Sequence, residues 1–228
     1  GGAVNFITDV DYTNSYSVNG FSLKNNSLEY NTTKITDNGW HLNLKGATNH
    51  SKTDSAKAKG HEADGTKNYQ INLNGNKWIN DNLKLKSTFY YRDTKSDYDA
   101  SDTKEESVTS DNKMYALQTG VERKTKDLFD NLMFHYHNYD RKYYVRGKKD
   151  KYYSESLVAK AEREVLLNQK LSYGFGTEYK YDWGHYLTKT FASQTKGHVS
   201  NLGVFINAGY KINKNQILSL HGRNDDHK

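Results

Sequence analysis

Apolar and polar residues alternate along strand-length runs of this chain, and tight polar turns separate the runs. The clearest run spans residues 171–183, where the odd positions are mainly aromatic or apolar and the even positions are polar or glycine. A side-chain period of two places these two sets on opposite faces of a β-strand. The odd set is rich in tyrosine and ends at Trp183, which suits a surface that contacts lipid and then the membrane interface. The pattern therefore predicts a transmembrane β-barrel wall, with the polar set facing water.

The same alternation predicts about eleven antiparallel strands of a larger barrel. They lie near 10–20, 24–35, 40–50, 67–79, 83–99, 113–124, 128–145, 152–164, 170–183, 199–212 and 217–226. Short turns at 36–39, 80–82, 125–127, 167–169 and 213–215 alternate with longer polar connections at 51–66, 100–112, 146–151 and 184–198, as in outer-membrane barrels. A soluble β-sandwich mimics part of this rhythm but rarely keeps the short-long alternation. In the first turn, Asn38-Gly39 predicts a type I′ hairpin with positive φ at both residues.

Composition agrees with a barrel and excludes several other classes. The mean hydropathy of the 228 residues is −1.01, which a barrel tolerates because only alternate residues face lipid. The 19 tyrosines argue against disorder. No window holds the roughly 18 apolar residues of a spanning helix. The absence of cysteine removes disulfide frameworks and thiolate zinc sites.

The charge and motif content predict neither nucleic-acid binding nor catalysis. The formal charge of +6 is scattered among 27 acids without a basic block, so no nucleic-acid partner is expected. The chain has no Gly-x-Ser-x-Gly elbow, phosphate loop or His-Glu-x-x-His motif. We therefore expect a protein that is not an enzyme.

The first residues carry a family resemblance. Gly-Gly-Ala-Val-Asn-Phe-Ile-Thr at 1–8 resembles the stretch that closes the plug domain of TonB-dependent outer-membrane receptors, just before their first barrel strand. The resemblance implies that 1–9 end a plug domain and that 10–228 form part of the receptor barrel. It also implies a fragment of a longer protein, located in the outer membrane of a Gram-negative bacterium.

Within that family, the chain is most similar to cobalamin receptors of the BtuB type. The segment 90–100 resembles the place where a BtuB strand runs into an aspartate-bearing outside loop, and 202–226 resembles a pair of strands in the middle of that barrel. The resemblance implies energised uptake of cobalamin, with TonB acting through the missing plug. A siderophore or other iron chelate is the alternative ligand, and a passive porin or barrel adhesin is a further alternative.

An acidic group in and beside 100–112 is a candidate calcium site, because several carboxylates on a flexible loop suit a hard cation. Its members are Asp93, Asp97, Asp99, Asp102 and Asp111. The BtuB resemblance points to Asp97 and Asp99 in particular, and to Asp140 on the next outside loop. The alternative is a solvated acidic loop without a metal.

Tyr98, Tyr143 and Tyr144 are candidate ligand-binding residues. Tyrosines also flank the basic tip 146–149, which could stack on a flat ligand or bind lipopolysaccharide phosphates. The alternative is an aromatic girdle with a basic loop. His135 and His137 share one strand face, but without a third ligand they are expected to be lumen-facing or interfacial side chains.

Overall fold

In a computed structural model, which describes residues 15–22, 25–52, 64–99, 107–145, 148–189 and 192–228, the chain forms one antiparallel sheet. Eleven strands are present in these ranges, and each pairs with its neighbours in sequence order. They are β1 Ser15–Ser22, β2 Asn25–Ile35, β3 Trp40–Lys52, β4 Gly65–Asn80, β5 Leu83–Asp99, β6 Ser107–Lys124, β7 Leu128–Val145, β8 Lys148–Leu166, β9 Leu171–Thr188, β10 Ser193–Lys211 and β11 Ile217–His227. The predicted all-β fold class and strand number are confirmed, whereas the predicted plug segment 1–9 lies outside the described residues.

This sheet has no second layer packed on it among the described residues. Val108 is the one apolar side chain in those ranges that is buried, whereas large apolar side chains such as Ile206 (65% exposed) and Leu132 (60% exposed) lie open. Several asparagines are buried instead, and Asn43 is completely so. No helix in the described ranges is long and apolar enough to cross a membrane.

The strand register sorts the side chains onto two faces of opposite character. Cα partners across the sheet share a face, and the row through Leu44, Leu73, Phe89, Leu117 and Tyr136 is apolar. The neighbouring row on the other face runs through Asn43, Asn74, Thr88, Gln118 and His135. We call the first the apolar face and the second the polar face. His135 and His137 therefore both lie on the polar face.

Hydrogen bonds between side chains stabilise the polar face. Asn43 Nδ2 donates to Asn31 Oδ1 at 2.7 Å and to Thr33 Oγ1 at 3.0 Å. Between β4 and β5, Thr88 Oγ1 donates to Asn74 Oδ1 at 2.9 Å. Such bonds are what buried amides require, because an unpaired polar group in the interior costs about 1–3 kcal/mol.

The strands are staggered in the way a barrel wall requires. One row of Cα partners passes through His41, Lys86 and Gly203. This row lies one residue from the start of β3 at Trp40 but eight residues from the end of β10 at Lys211, so the offset grows by one residue per strand. With a rise of about 3.3 Å per residue and about 4.8 Å between strands, that offset corresponds to a tilt of about 35°. Strands in closed barrels tilt by a similar angle.

The connections differ from the predicted ones in two respects. Gly39 has a φ of +80°, but Asn38 is not among the described residues with positive φ. The 36–39 hairpin is therefore a type I turn followed by a left-handed glycine, and the type I′ prediction was wrong. The predicted extents of the long connections 100–112, 146–151 and 184–198 were also wrong, because β6 already begins at Ser107 and β7 to β10 continue through most of the other two.

Candidate functional site

Three charged side chains lie at the edge of the apolar face, at the end of the sheet that carries the tight turns. Asp130 accepts hydrogen bonds from Arg123 on one side, with Nε at 2.9 Å from Oδ2, and from Arg163 on the other, with Nε at 2.6 Å from Oδ1. The two arginines hold the pKa of Asp130 below its ordinary value, with the Arg163 hydrogen bond as the largest cause. We call Arg123, Asp130 and Arg163 the turn-end rim.

A second charged group bounds the apolar face near the other end of the strands. Lys113 Nζ lies 3.3 Å from Asp93 Oδ2, and the hydrogen bond with Asp93 raises the pKa of Lys113. Lys142 and Lys151 place their Nζ atoms 3.4 Å and 3.9 Å from Asp140 Oδ2. We call these five residues the loop-end rim.

The apolar band between the two rims has the height of a bilayer core. On β7, Asp130 and Asp140 are ten residues apart. At about 3.3 Å per residue and a tilt of about 35°, they are separated by about 27 Å along the barrel axis, against about 25 Å for the lipid-facing band of known barrels. Exposed apolar side chains fill this level of the sheet: Ile71, Leu73, Phe89, Leu117, Leu132, Phe134, Phe175, Leu202, Val204 and Ile206.

On the polar face, a cleft of about 510 Å³ lies near the loop end of β3 to β7. One row of Cα partners supplies Asn68, Thr94, Asn112 and Arg141 to it. Its other lining residues are Asn49, Thr66, Gln70, Arg92 and Tyr139. The described lining therefore contains two guanidinium groups and no carboxylate.

Side chains within and beside this cleft contact one another, and its two arginines retain N–H donors that could bind a ligand. Tyr139 Oη donates to Asn112 Oδ1 at 3.1 Å, and the Arg141 guanidinium lies 3.9 Å from the centre of the Tyr143 ring. Arg141 Nε is buried without a hydrogen bond, and no ion pair to Arg92 occurs among the described residues. Two uncompensated guanidinium groups in a polar cleft favour an anionic ligand.

The predicted calcium ligands are only partly described. Asp97 accepts a hydrogen bond from Thr109 Oγ1 at 3.0 Å, Asp111 lies between Lys95 and Lys142 in the register, and Asp140 is paired with two lysines. In the described ranges, no three His, Asp or Glu side chains form a group that could hold a metal ion. The Asp99 side chain and the whole of Asp102 lie outside the described part, so the calcium site stays a prediction.

The predicted tyrosines are divided between the two faces. Tyr143 belongs to the polar face beside Arg141, whereas Tyr144 belongs to the apolar face, where Lys149 Nζ lies 5.7 Å from its ring centre. The Tyr98 side chain is outside the described part. His135 and His137 lie with their ring centres 5.6 Å apart on the polar face.

Sequence reasoning missed the turn-end rim and the arginines of the cleft. Arg123 and Asp130 flank a three-residue turn, so the hairpin register alone could have paired them across β6 and β7. Arg92 and Arg141 lie 49 positions apart on strands that do not pair with each other. Only the register of β5, β6 and β7 together brings them to one cleft.

The eleven-stranded meander, its stagger and its two faces define an arc of a transmembrane β-barrel wall. Its backbone is similar to that of the outer membrane transporter YddB from Escherichia coli, with a TM-score of 0.71 and 12% identity over 89% of this chain and 34% of that chain. It is also similar to the ferric yersiniabactin uptake receptor FyuA from Yersinia pestis, with a TM-score of 0.70 and 11% identity over 97% of this chain and 44% of that chain. For the RagAB peptide transporter the TM-score is 0.68, with 10% identity over 89% of this chain and 32% of that chain.

No protein-family model and no curated protein sequence matches the chain. It spans less than half the length of the three solved structures, between 32% and 44%. At such low identity the likeness establishes the fold of the wall.

Proposed function

We propose that this chain is part of the barrel wall of a TonB-dependent transporter in the outer membrane of a Gram-negative bacterium. The observation that carries this proposal is the apolar band, which is exposed between two ion-paired rims about 27 Å apart while the opposite face is polar. The resemblance of residues 1–8 to the end of a plug domain and the likeness to known transporters support it. The apolar face then contacts lipid, the polar face lines the lumen, and the protein transports rather than catalyses.

The imported ligand in this proposal is an anionic metal chelate of the siderophore class. Arg92 and Arg141 lie on the lumenal face toward the end opposite the tight turns, which in such barrels faces the outside. A chelate with carboxylate or phenolate oxygens can accept hydrogen bonds from both guanidinium groups, and Asn68, Gln70 and Asn112 offer further amide donors. The similar ferric yersiniabactin receptor agrees with this ligand class.

The test is calorimetry on the intact receptor that contains this wall, with ferric citrate and ferric yersiniabactin as probes. We expect one of these chelates to bind, and we expect Arg92→Gln with Arg141→Gln to weaken binding by about tenfold or more, because each charge-assisted hydrogen bond contributes about 1.5–3 kcal/mol. Arg223→Gln is the matched control, since Arg223 is a lumenal arginine already paired with Glu178 and Asp225. Unchanged affinity in the double variant would show that these arginines contact something else, such as the plug.

Cobalamin is the second candidate ligand, because the segment 90–100 resembles the BtuB loop region. In that case calcium bound through Asp97 and Asp99 would order the outside loop, and replacing both by alanine would lower the affinity for cyanocobalamin and its dependence on calcium. Cyanocobalamin is therefore titrated with and without calcium in the same experiment. Binding of cyanocobalamin alone would replace the siderophore proposal, and binding of no probe would contradict both.

A further inference from the structure

The turn-end rim retains unused guanidinium N–H donors after its internal ion pairs are formed. Arg123 uses Nε and one Nη to contact Asp130, and Arg163 does the same. A guanidinium has five N–H donors, so three remain on each arginine. Two positive charges share one negative charge, which leaves the cluster with a formal charge of +1. The rim therefore offers preformed hydrogen-bond donors to one more anion.

Asp130 also fixes the orientation of the two guanidinium groups. It binds Arg163 through both carboxylate oxygens, with Nε at 2.6 Å from Oδ1 and Nη2 at 3.2 Å from Oδ2. Arg123 binds Oδ2 from the other side. The two forks are thus held on either side of one carboxylate, and a tetrahedral group with several acceptor oxygens can bridge them.

The turn-end rim lies close to the ends of its three strands. Arg123, Asp130 and Arg163 lie one, two and three residues from the turn ends of β6, β7 and β8 at Lys124, Leu128 and Leu166. Beyond them, the same face continues with the exposed Leu132 and then the rest of the apolar band. An anion bound here therefore has water or headgroups on one side and hydrocarbon on the other.

We infer that the turn-end rim binds the phosphate of a glycerophospholipid in the membrane leaflet on the turn side. The lipid phosphate accepts hydrogen bonds from Arg123 and Arg163, and its acyl chains lie along Leu132 and its apolar neighbours. Tyr173 lies opposite Val165 on the same face, two residues from the partner of Arg163, and adds an aromatic side chain at the interface. This inference rests on the proposed function, because it requires that the apolar face contacts lipid.

The experiment is native mass spectrometry of the intact receptor in detergent, with phosphatidylglycerol titrated as the probe. We expect one phospholipid to remain bound after mild activation, and we expect Arg123→Gln with Arg163→Gln to weaken its retention by about tenfold or more. Arg223→Gln, on the lumenal face, should leave retention unchanged. Equal retention in the double variant and the wild type would overturn the inference.

Two further arms separate the alternatives. If inorganic phosphate or lipopolysaccharide saturates the site and the phospholipid does not, the assigned ligand is wrong. A spin label at position 132 in a receptor reconstituted into vesicles reports the membrane placement separately, because lipid contact makes it accessible to dissolved oxygen. If the label is accessible only to a water-soluble quencher, the proposed function is contradicted. If the label contacts lipid but the double variant retains the phospholipid as well as the wild type does, only the phospholipid site is contradicted.

Discussion

An arginine at Leu117 should be costly, whereas an arginine at the next residue, Gln118, should be tolerated. Leu117 lies on the apolar face, six residues from Arg123 and four from Lys113 along β6. With a rise of about 3.3 Å per residue and a tilt of about 35°, the turn-end rim lies about 16 Å and the loop-end rim about 11 Å from Leu117 along the membrane normal. Both distances are longer than an arginine side chain reaches. The charge at Leu117→Arg would therefore stay in hydrocarbon.

The expected cost of Leu117→Arg is about 3 kcal/mol, within the range of about 2–4 kcal/mol for arginine near the bilayer midplane of a barrel. This corresponds to roughly a 150-fold loss in the folding equilibrium. Gln118 lies on the polar face, where its amide Nε2 is 2.9 Å from Met133 Sδ, so Gln118→Arg should cost less than about 1 kcal/mol.

The assay is guanidinium-induced unfolding of the intact receptor in phospholipid vesicles, followed by tryptophan fluorescence. The free energy of unfolding is compared between wild type, Leu117→Arg and Gln118→Arg. Equal losses in the two variants, or a larger loss at Gln118, would refute the assignment of the faces.

Two further predictions concern the turn-end rim and the contact between β6 and β7. Arg123 and Arg163 lower the pKa of Asp130 in the folded protein. The Asp130 carboxylate therefore stabilises the folded state fully above the ordinary pKa of 3.8, and this stabilisation is lost as the pH falls through the lowered pKa. In unfolding titrations Asp130→Asn should therefore remove part of this acid-induced loss, and an identical pH profile in the variant would contradict it. A Cβ atom at Gly120 would lie 2.7 Å from the backbone oxygen of Leu132, whereas one at Gly197 would meet nothing within 4 Å. Gly120→Ala should thus lower the free energy of unfolding by about 1–3 kcal/mol, and Gly197→Ala should leave it almost unchanged. Equal unfolding midpoints in the two variants would contradict the close approach of β6 and β7.

The strands were predictable where one face is consistently apolar. The bounds of β5 and β7 match the predicted 83–99 and 128–145. In β5 the period-two signal comes from Leu83, Leu85, Phe89 and Tyr91, which lie on one face opposite Lys84, Lys86, Thr88 and Arg92. By contrast, β10 begins at Ser193 rather than near 199, since Gln194 to His198 are polar on both faces and give no period-two signal. Beyond the lipid band, backbone pairing with the neighbouring strand continues β10. This pairing does not require alternating side chains, so the sequence does not predict it.

The candidate site was less predictable than the fold for a related reason. A single strand shows that Arg141 and Tyr143 share a face, but the cleft also needs Asn68 and Arg92 from strands 40 or more residues away. Their meeting depends on the register of three hairpins, in which a shift of one residue would move every side chain to the other face.

Spin labels at Phe175 and Val204 of the intact receptor in bilayers test the central claim most directly, with a label at Lys180 on the polar face as the control. We predict that dissolved oxygen relaxes the labels at Phe175 and Val204 strongly while a water-soluble nickel chelate does not, and that the label at Lys180 shows the reverse preference. If the chelate reaches Phe175 and Val204 and oxygen does not, the apolar face does not contact lipid and the account is contradicted.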